Sequence, residues 1–116
     1  MSVIGKWKIM EAEFGGKQLP ATEFENLVLE LDETSYQLIE QRVIDSGVID
    51  MVDNASPAAL TITGVFGPNK GKTFHCIYKF EGDQMVMCYN LGGGSRPTAF
   101  ETLKNTLLYL VRYKRI

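Results

Sequence analysis

The segment GPNKGKT (Gly67–Thr73) carries the glycines, lysines and threonine with which nucleotide-binding loops cradle phosphate. Such loops place four residues between the first glycine and Gly-Lys-Thr, and a helix follows whose N-terminus faces the phosphates. Here only Pro68, Asn69 and Lys70 intervene, and the following TFHCIYKF alternates like a strand. The segment therefore reads as a hairpin loop. His75 and Cys76 are adjacent, which suggests a thiol nucleophile with its base, but neighbours on a strand point to opposite faces and cannot pair. His75 and Cys88 fall diagonally on one face, with no third orienting group and no oxyanion site; they read as an exposed histidine and a half-buried thiol. One histidine and two cysteines on opposite faces do not make a tetrahedral zinc site. The carboxylates Glu11, Glu13, Glu23, Glu25, Glu30, Asp32, Glu33, Asp45, Asp50 and Asp53 are scattered and read as a solvated outer face rather than an acid–base pair. No catalytic residue, no metal and no cofactor is expected, and the chain reads as non-enzymatic.

The elements that must position these side chains are almost all strands. Segments 5–14, 26–32, 35–44, 46–53, 58–65, 73–81, 84–91, 96–102 and 107–115 carry β-branched, aromatic or alternating apolar residues, which predicts about eight real strands. Short glycine-, asparagine- and aspartate-bearing links separate them, and links this short join antiparallel neighbours. One short helical turn is expected near 21–26, with Thr22 as its cap and Glu25 answering three residues on. A string of tight hairpins without long returns predicts an all-β, antiparallel up-and-down barrel. The clearest hairpin turns at Gly82-Asp83, so that Phe80 faces Met85, Tyr78 faces Met87 and Cys76 faces Tyr89 on the interior. His75, Ile77, Lys79, Gln84, Val86 and Cys88 take the other face. With Cys76 pointing in and Cys88 out, no disulfide is expected.

Composition bounds what such a barrel does. At 116 residues, with 22% charged side chains, the chain fits a single domain over residues 1–116. Twelve basic against fourteen acidic residues give a net charge of -2, and the longest basic concentration is Arg112, Lys114 and Arg115 at the C-terminus. That excludes an electrostatic footprint for nucleic acid. No apolar run approaches the roughly 18 residues of a membrane-spanning helix, and the N-terminus lacks the apolar core of a secretory signal. The expected location is cytoplasmic for the chain as given, and secreted or envelope-associated if a leader has been removed.

Two resemblances sharpen the fold. Gly5 and Trp7 open the first strand and an arginine ends the last, an arrangement that resembles the closed end of lipocalin-type barrels, where a cation lies across the indole. Arg112 and Arg115 are both candidates for that cation. Over nearly the whole chain, GKWKIMEAEFGGKQLP, GPNKGKTFHCIYKFEGDQMVMC, RPTAFE and the terminal YKR resemble a family of small bacterial lipocalin-like domains of unknown function. The matching motifs are Gly16 to Pro20, Gly67 to Thr73 and Arg96 to Phe100. Gly92-Gly93-Gly94 and Leu103 to Thr106 depart from the family pattern in the loops before and after the last of these. The resemblance implies a calycin-type barrel and no particular chemistry.

The expected role is binding of a small apolar or amphipathic ligand in the barrel mouth. Tyr36, Tyr78, Phe80, Met85, Met87, Tyr89 and Phe100 are the candidate lining, and Arg96 is the candidate polar anchor. The large residues suit either a solid core or a small cavity. A solid core would instead favour a protein-interaction module whose loops engage an unknown partner.

Overall fold

The computed structural model describes residues 2–116. The strands are β1 (Gly5–Phe14), β2 (Lys17–Gln18), β3 (Val28–Leu31), β4 (Ser35–Glu40), β5 (Arg42–Val52), β6 (Ala59–Phe66), β7 (Thr73–Glu81), β8 (Gln84–Asn90) and β9 (Leu108–Arg115). Apart from the short β2 paired on one end of β1, each strand is antiparallel to its sequence neighbour, and β9 returns to pair with β1. The result is a closed, lipocalin-like up-and-down barrel of eight strands with one extra strand. Closure leaves the barrel strands without a free edge. Among the described residues no helix is long and apolar enough to cross a membrane.

The β7–β8 hairpin has the register that its alternation demands. Phe80 opposes Met85, Tyr78 opposes Met87 and Cys76 opposes Tyr89 about the Gly82-Asp83 turn. Two boundaries differ from the sequence reading. The β4–β5 turn falls at Gln41, which takes a φ of 65°, and not at Asp45 between two strands. Asp45 is therefore inside β5, and a bulge that leaves Ile44 without a partner directs it inward. Residues 96–102 form no strand. They cross the outside of the barrel as a strap over Ala59, Ile77 and Cys88, with Phe100 packed on that cluster. The strap is what makes Cys88 fully buried rather than half-buried; its thiol reaches the Glu101 carbonyl. The one helical piece is a 3-10 turn at Ala21–Glu23, capped through its backbone by Pro20, so Thr22 lies inside the turn instead of capping it.

One end of the barrel is sealed. Trp7 is fully buried, its indole N–H donates to the Val3 carbonyl at 2.9 Å, and its ring stacks on Phe80 at 6.4 Å. The Arg115 guanidinium lies 4.2 Å from the ring centre and donates to the carbonyls of Ser2 and Ile4, both at 2.7 Å. This single cation holds the N-terminal segment over the indole while making the cation–π contact. Gly5, at φ 144°, leaves the space: a Cβ there would overlap the guanidinium. Arg112 is not the partner of Trp7; it points outward to Glu81 and Gln84. Above the indole, Cys76, Met85, Met87 and Val111 fill the barrel with essentially no exposed surface.

Trp7→Ala is expected to lower unfolding free energy by about 3–5 kcal/mol, the range for deleting a buried large aromatic ring, measured by urea denaturation. The thiols give a second expectation. Both are free and lie on opposite faces of the sheet, and burial raises both above the ordinary value of 9.0, Cys88 to about 11. The unfolded chain therefore loses these protons at lower pH than the folded one. Their stabilising contribution is complete below about pH 9 and declines toward pH 11, by about 1.4 kcal/mol per pH unit for each thiol. Urea midpoints taken from pH 8 to pH 11 should fall accordingly, and the slope should shrink in Cys88→Ala.

Candidate functional site

The end opposite Trp7 is hollow. A cavity of about 380 Å³ is bordered by Leu27 in the link that enters β3, by Asn69 and Lys72 of the β6–β7 loop and by Leu91 at the start of the β8–β9 connection. Its wall is aromatic at Tyr36, Phe74, Tyr89, Tyr109 and Tyr113, and aliphatic at Ile9, Leu27, Leu29, Leu38, Ile62 and Leu91. Three further groups, Asp45, Asn69 and Lys72, bring hydrogen bonding and charge to it. This is the low end of the size range for small-molecule pockets, with the usual composition of an apolar wall and few convergent polar groups.

The polar groups are held by identifiable local features. Tyr36 on β4 stands opposite Gly47 on β5. A Cβ at Gly47 would come within 2.8 Å of the Tyr36 ring, so glycine lets the ring lie close across β5. From there the Tyr36 hydroxyl donates to Asp45 Oδ1 at 3.1 Å. The second carboxylate oxygen is taken by GPNKGKT. That loop folds back on β6, with the Gly64 amide donating to the Lys72 carbonyl and the Gly71 amide to the Gly64 carbonyl, both at 2.9 Å. The fold-back brings Asn69 Nδ2 within 2.8 Å of Asp45 Oδ2. Asp45 is 6% exposed.

Across the cavity, the hydroxyls of Tyr89 and Tyr113 share a hydrogen bond of 2.5 Å, and the Tyr89 and Tyr109 rings pack at 5.5 Å. Burial pushes the hydroxyls of Tyr36, Tyr89, Tyr109 and Tyr113 above their ordinary range; Asp45 adds to the effect at Tyr36 and Glu23, on the 3-10 turn, at Tyr109. The wall thus presents neutral phenols at physiological pH.

Of the residues expected to line a pocket, Tyr36 and Tyr89 do so. Met85 and Met87 lie in the solid half, because the hairpin that aims them inward does so next to the sealed end. Phe80 stacks on Trp7 and Tyr78 packs edge-on against Phe80, so both belong to the seal. A second recess of about 420 Å³ lies outside that seal, more open to solvent and bordered by Tyr78, Val3, Met51, Asp32 and Glu33, and it shares no lining residue with the cavity. Phe100 is on the outer surface, carried there by the strap, with the Lys79 ammonium 4.7 Å from its ring centre. Arg96 is also outside. Its guanidinium donates to the carbonyls of Leu60 and Cys76 at 2.7 Å and to Thr61 Oγ1 at 2.9 Å, pinning the strap to β6 and β7 rather than meeting a ligand. His75 joins the same outer cluster, 3.3 Å from both Arg96 and Thr61.

The sequence reading missed the aliphatic wall and, among its polar and aromatic groups, Asp45, Asn69, Lys72, Phe74, Tyr109 and Tyr113. Tyr109 and Tyr113 had an available signal, since both oppose inward-facing residues of β8. Asp45 had none, because each face of β5 mixes polar and apolar residues. Set against protein-family models, curated proteins and solved structures, the chain matches none.

Gly47→Ala should drive Tyr36 off its position and strain β5 against the Thr63 carbonyl. The expected loss is about 1–3 kcal/mol, typical of overpacking, and is read from urea denaturation with the Tyr36 ring shift followed by NMR.

Proposed function

We propose that the protein is a non-enzymatic binder that takes a small amphipathic molecule into the open half of its barrel. The observation that carries this reading is the asymmetry of the interior: solid from Trp7 to Met87, hollow beyond it with a cavity of about 380 Å³. A barrel whose loops alone did the work would have no use for the empty half, since cavities cost stability. The wall also has the chemistry of a pocket. Aromatic and aliphatic side chains accept an apolar body, and the phenols, Asp45 and Asn69 fix a polar end. The GPNKGKT loop acts here as the segment that supplies Asn69 and Lys72 to the mouth. The cavity size favours a molecule with a compact ring system or short chain over haem or a long fatty acid.

A ligand that binds only the folded chain raises stability by mass action, by about 2.7 kcal/mol at a hundredfold excess over its dissociation constant. A thermal-shift panel of small aromatic acids, amines and alcohols, medium-chain fatty acids and retinoids should yield at least one stabiliser. Leu38→Trp, which fills the cavity from the wall, should abolish that shift while leaving the unliganded melting temperature within a few degrees. A panel without a single shift, together with loop-surface binding of a protein partner, would replace this reading with the interaction module.

A further inference from the structure

We infer, on the reading of the cavity as a ligand site, that its ligand is a small organic cation: a protonated amine on an aromatic or short apolar body, with the ammonium at Asp45. Asp45 is a carboxylate in the wall of a largely apolar cavity, 6% exposed, and both groups that hydrogen-bond it, the Tyr36 hydroxyl and the Asn69 amide, are neutral. The ion pairs among the described residues are Lys79–Glu81, Arg112–Glu81 and Arg112–Glu11, so none reaches Asp45. Buried charges are ordinarily paired, and a carboxylate has about four acceptor positions, of which two are filled here. The cavity supplies the place from which the missing cation would come.

The rest of the wall points the same way. Tyr36, Phe74, Tyr89, Tyr109 and Tyr113 present ring faces and neutral hydroxyls, and the electron-rich faces of aromatic rings attract a cation. Lys72 is the one cation in the wall, but it is exposed on the rim, where water screens it. A ligand carboxylate reaching the polar end would meet Asp45 instead of a partner. An anion is thus excluded from the inner position, and a neutral molecule leaves the carboxylate unpaired.

Three probes of one shape test this without any variant: tryptamine, 3-propylindole and indole-3-propionate, which place an ammonium, a methyl group and a carboxylate at the end of the same short arm. Isothermal titration of the wild-type chain should show tryptamine binding at least about tenfold tighter than 3-propylindole, equal to about 1.4 kcal/mol, with indole-3-propionate weakest. Asp45→Asn keeps the size of the side chain and an acceptor oxygen; it should erase the preference for tryptamine while retaining the binding of 3-propylindole, with circular dichroism verifying the fold. Equal affinity for tryptamine and 3-propylindole in wild type, or a preference that survives Asp45→Asn, overturns the cation assignment and leaves the ligand-binding reading standing. Silence of all three probes overturns the assignment alone if the members of the broader panel that bind are neutral or anionic, sustains it if an amine binds and loses its shift in Asp45→Asn, and overturns both readings if none binds.

Discussion

The contact on which the rest of the molecule depends is the one between the two ends of the chain, where Arg115 from the last strand lies over Trp7 of the first. An up-and-down barrel closes only if β9 finds β1, a pairing between the most distant strands in sequence and therefore the one with the largest loop-closure entropy to overcome. Arg115 adds to the backbone ladder a cation–π contact and two hydrogen bonds to the carbonyls of Ser2 and Ile4. The indole becomes the floor of the interior, and Phe80 stacks on it. From that floor the packing is dictated upward: Met85, Met87, Cys76 and Val111 occupy the next layer, with methionine adapting to the gaps between the rings and the aliphatic side chains.

The hollow half follows from what the remaining inward residues do with their polar ends. A tyrosine in a sealed core must find a partner for its hydroxyl, and here each partner lies on the wall rather than across the barrel axis. Tyr36 leans over Gly47 to reach Asp45, and Tyr89 and Tyr113 satisfy each other. Their rings therefore stand against the sheet and leave the axis empty. The β6–β7 loop completes the arrangement by folding Asn69 onto the same carboxylate, so the rim is coupled to the wall through Asp45. One buried carboxylate thus organises a strand, its neighbour and a loop.

How far the sequence was legible depended on whether alternation had one explanation or two. The β7–β8 hairpin was readable because Gly82-Asp83 is turn chemistry and one face is uniformly large and apolar, so register and facing were both determined. The barrel class was readable from the shortness of the links. Residues 96–102 alternate as a strand does, but their alternation serves a strap that covers Ile77 and Cys88 from outside; Phe100 and Arg96 were misplaced with it. The β4–β5 turn was misplaced because Glu40-Gln41-Arg42 contains no turn residue, while Gln41 nonetheless takes positive φ. That error of a few residues put Asp45 at a bend instead of in the interior. The cavity itself was out of reach, because inward facing does not say at what height along the barrel a side chain sits.

The position of Asp45 bears on why the cavity exists at all. Hydrophobic residues of similar volume in place of a buried charged group often leave stability unchanged or improved, so a barrel selected only for stability would hold a leucine at this position. It would equally fill the space in front of it, since the facing residues Ile62, Phe74 and Leu38 are already apolar. Every polar atom buried among the described side chains has a hydrogen-bond partner, the carboxylate oxygens of Asp45 included, so what Asp45 lacks is a partner of opposite charge. At Asp45 an unpaired charge, an empty volume and a strand glycine meet. Such departures concentrate where a site is built, because a protein retains what destabilises it only when something else is gained there.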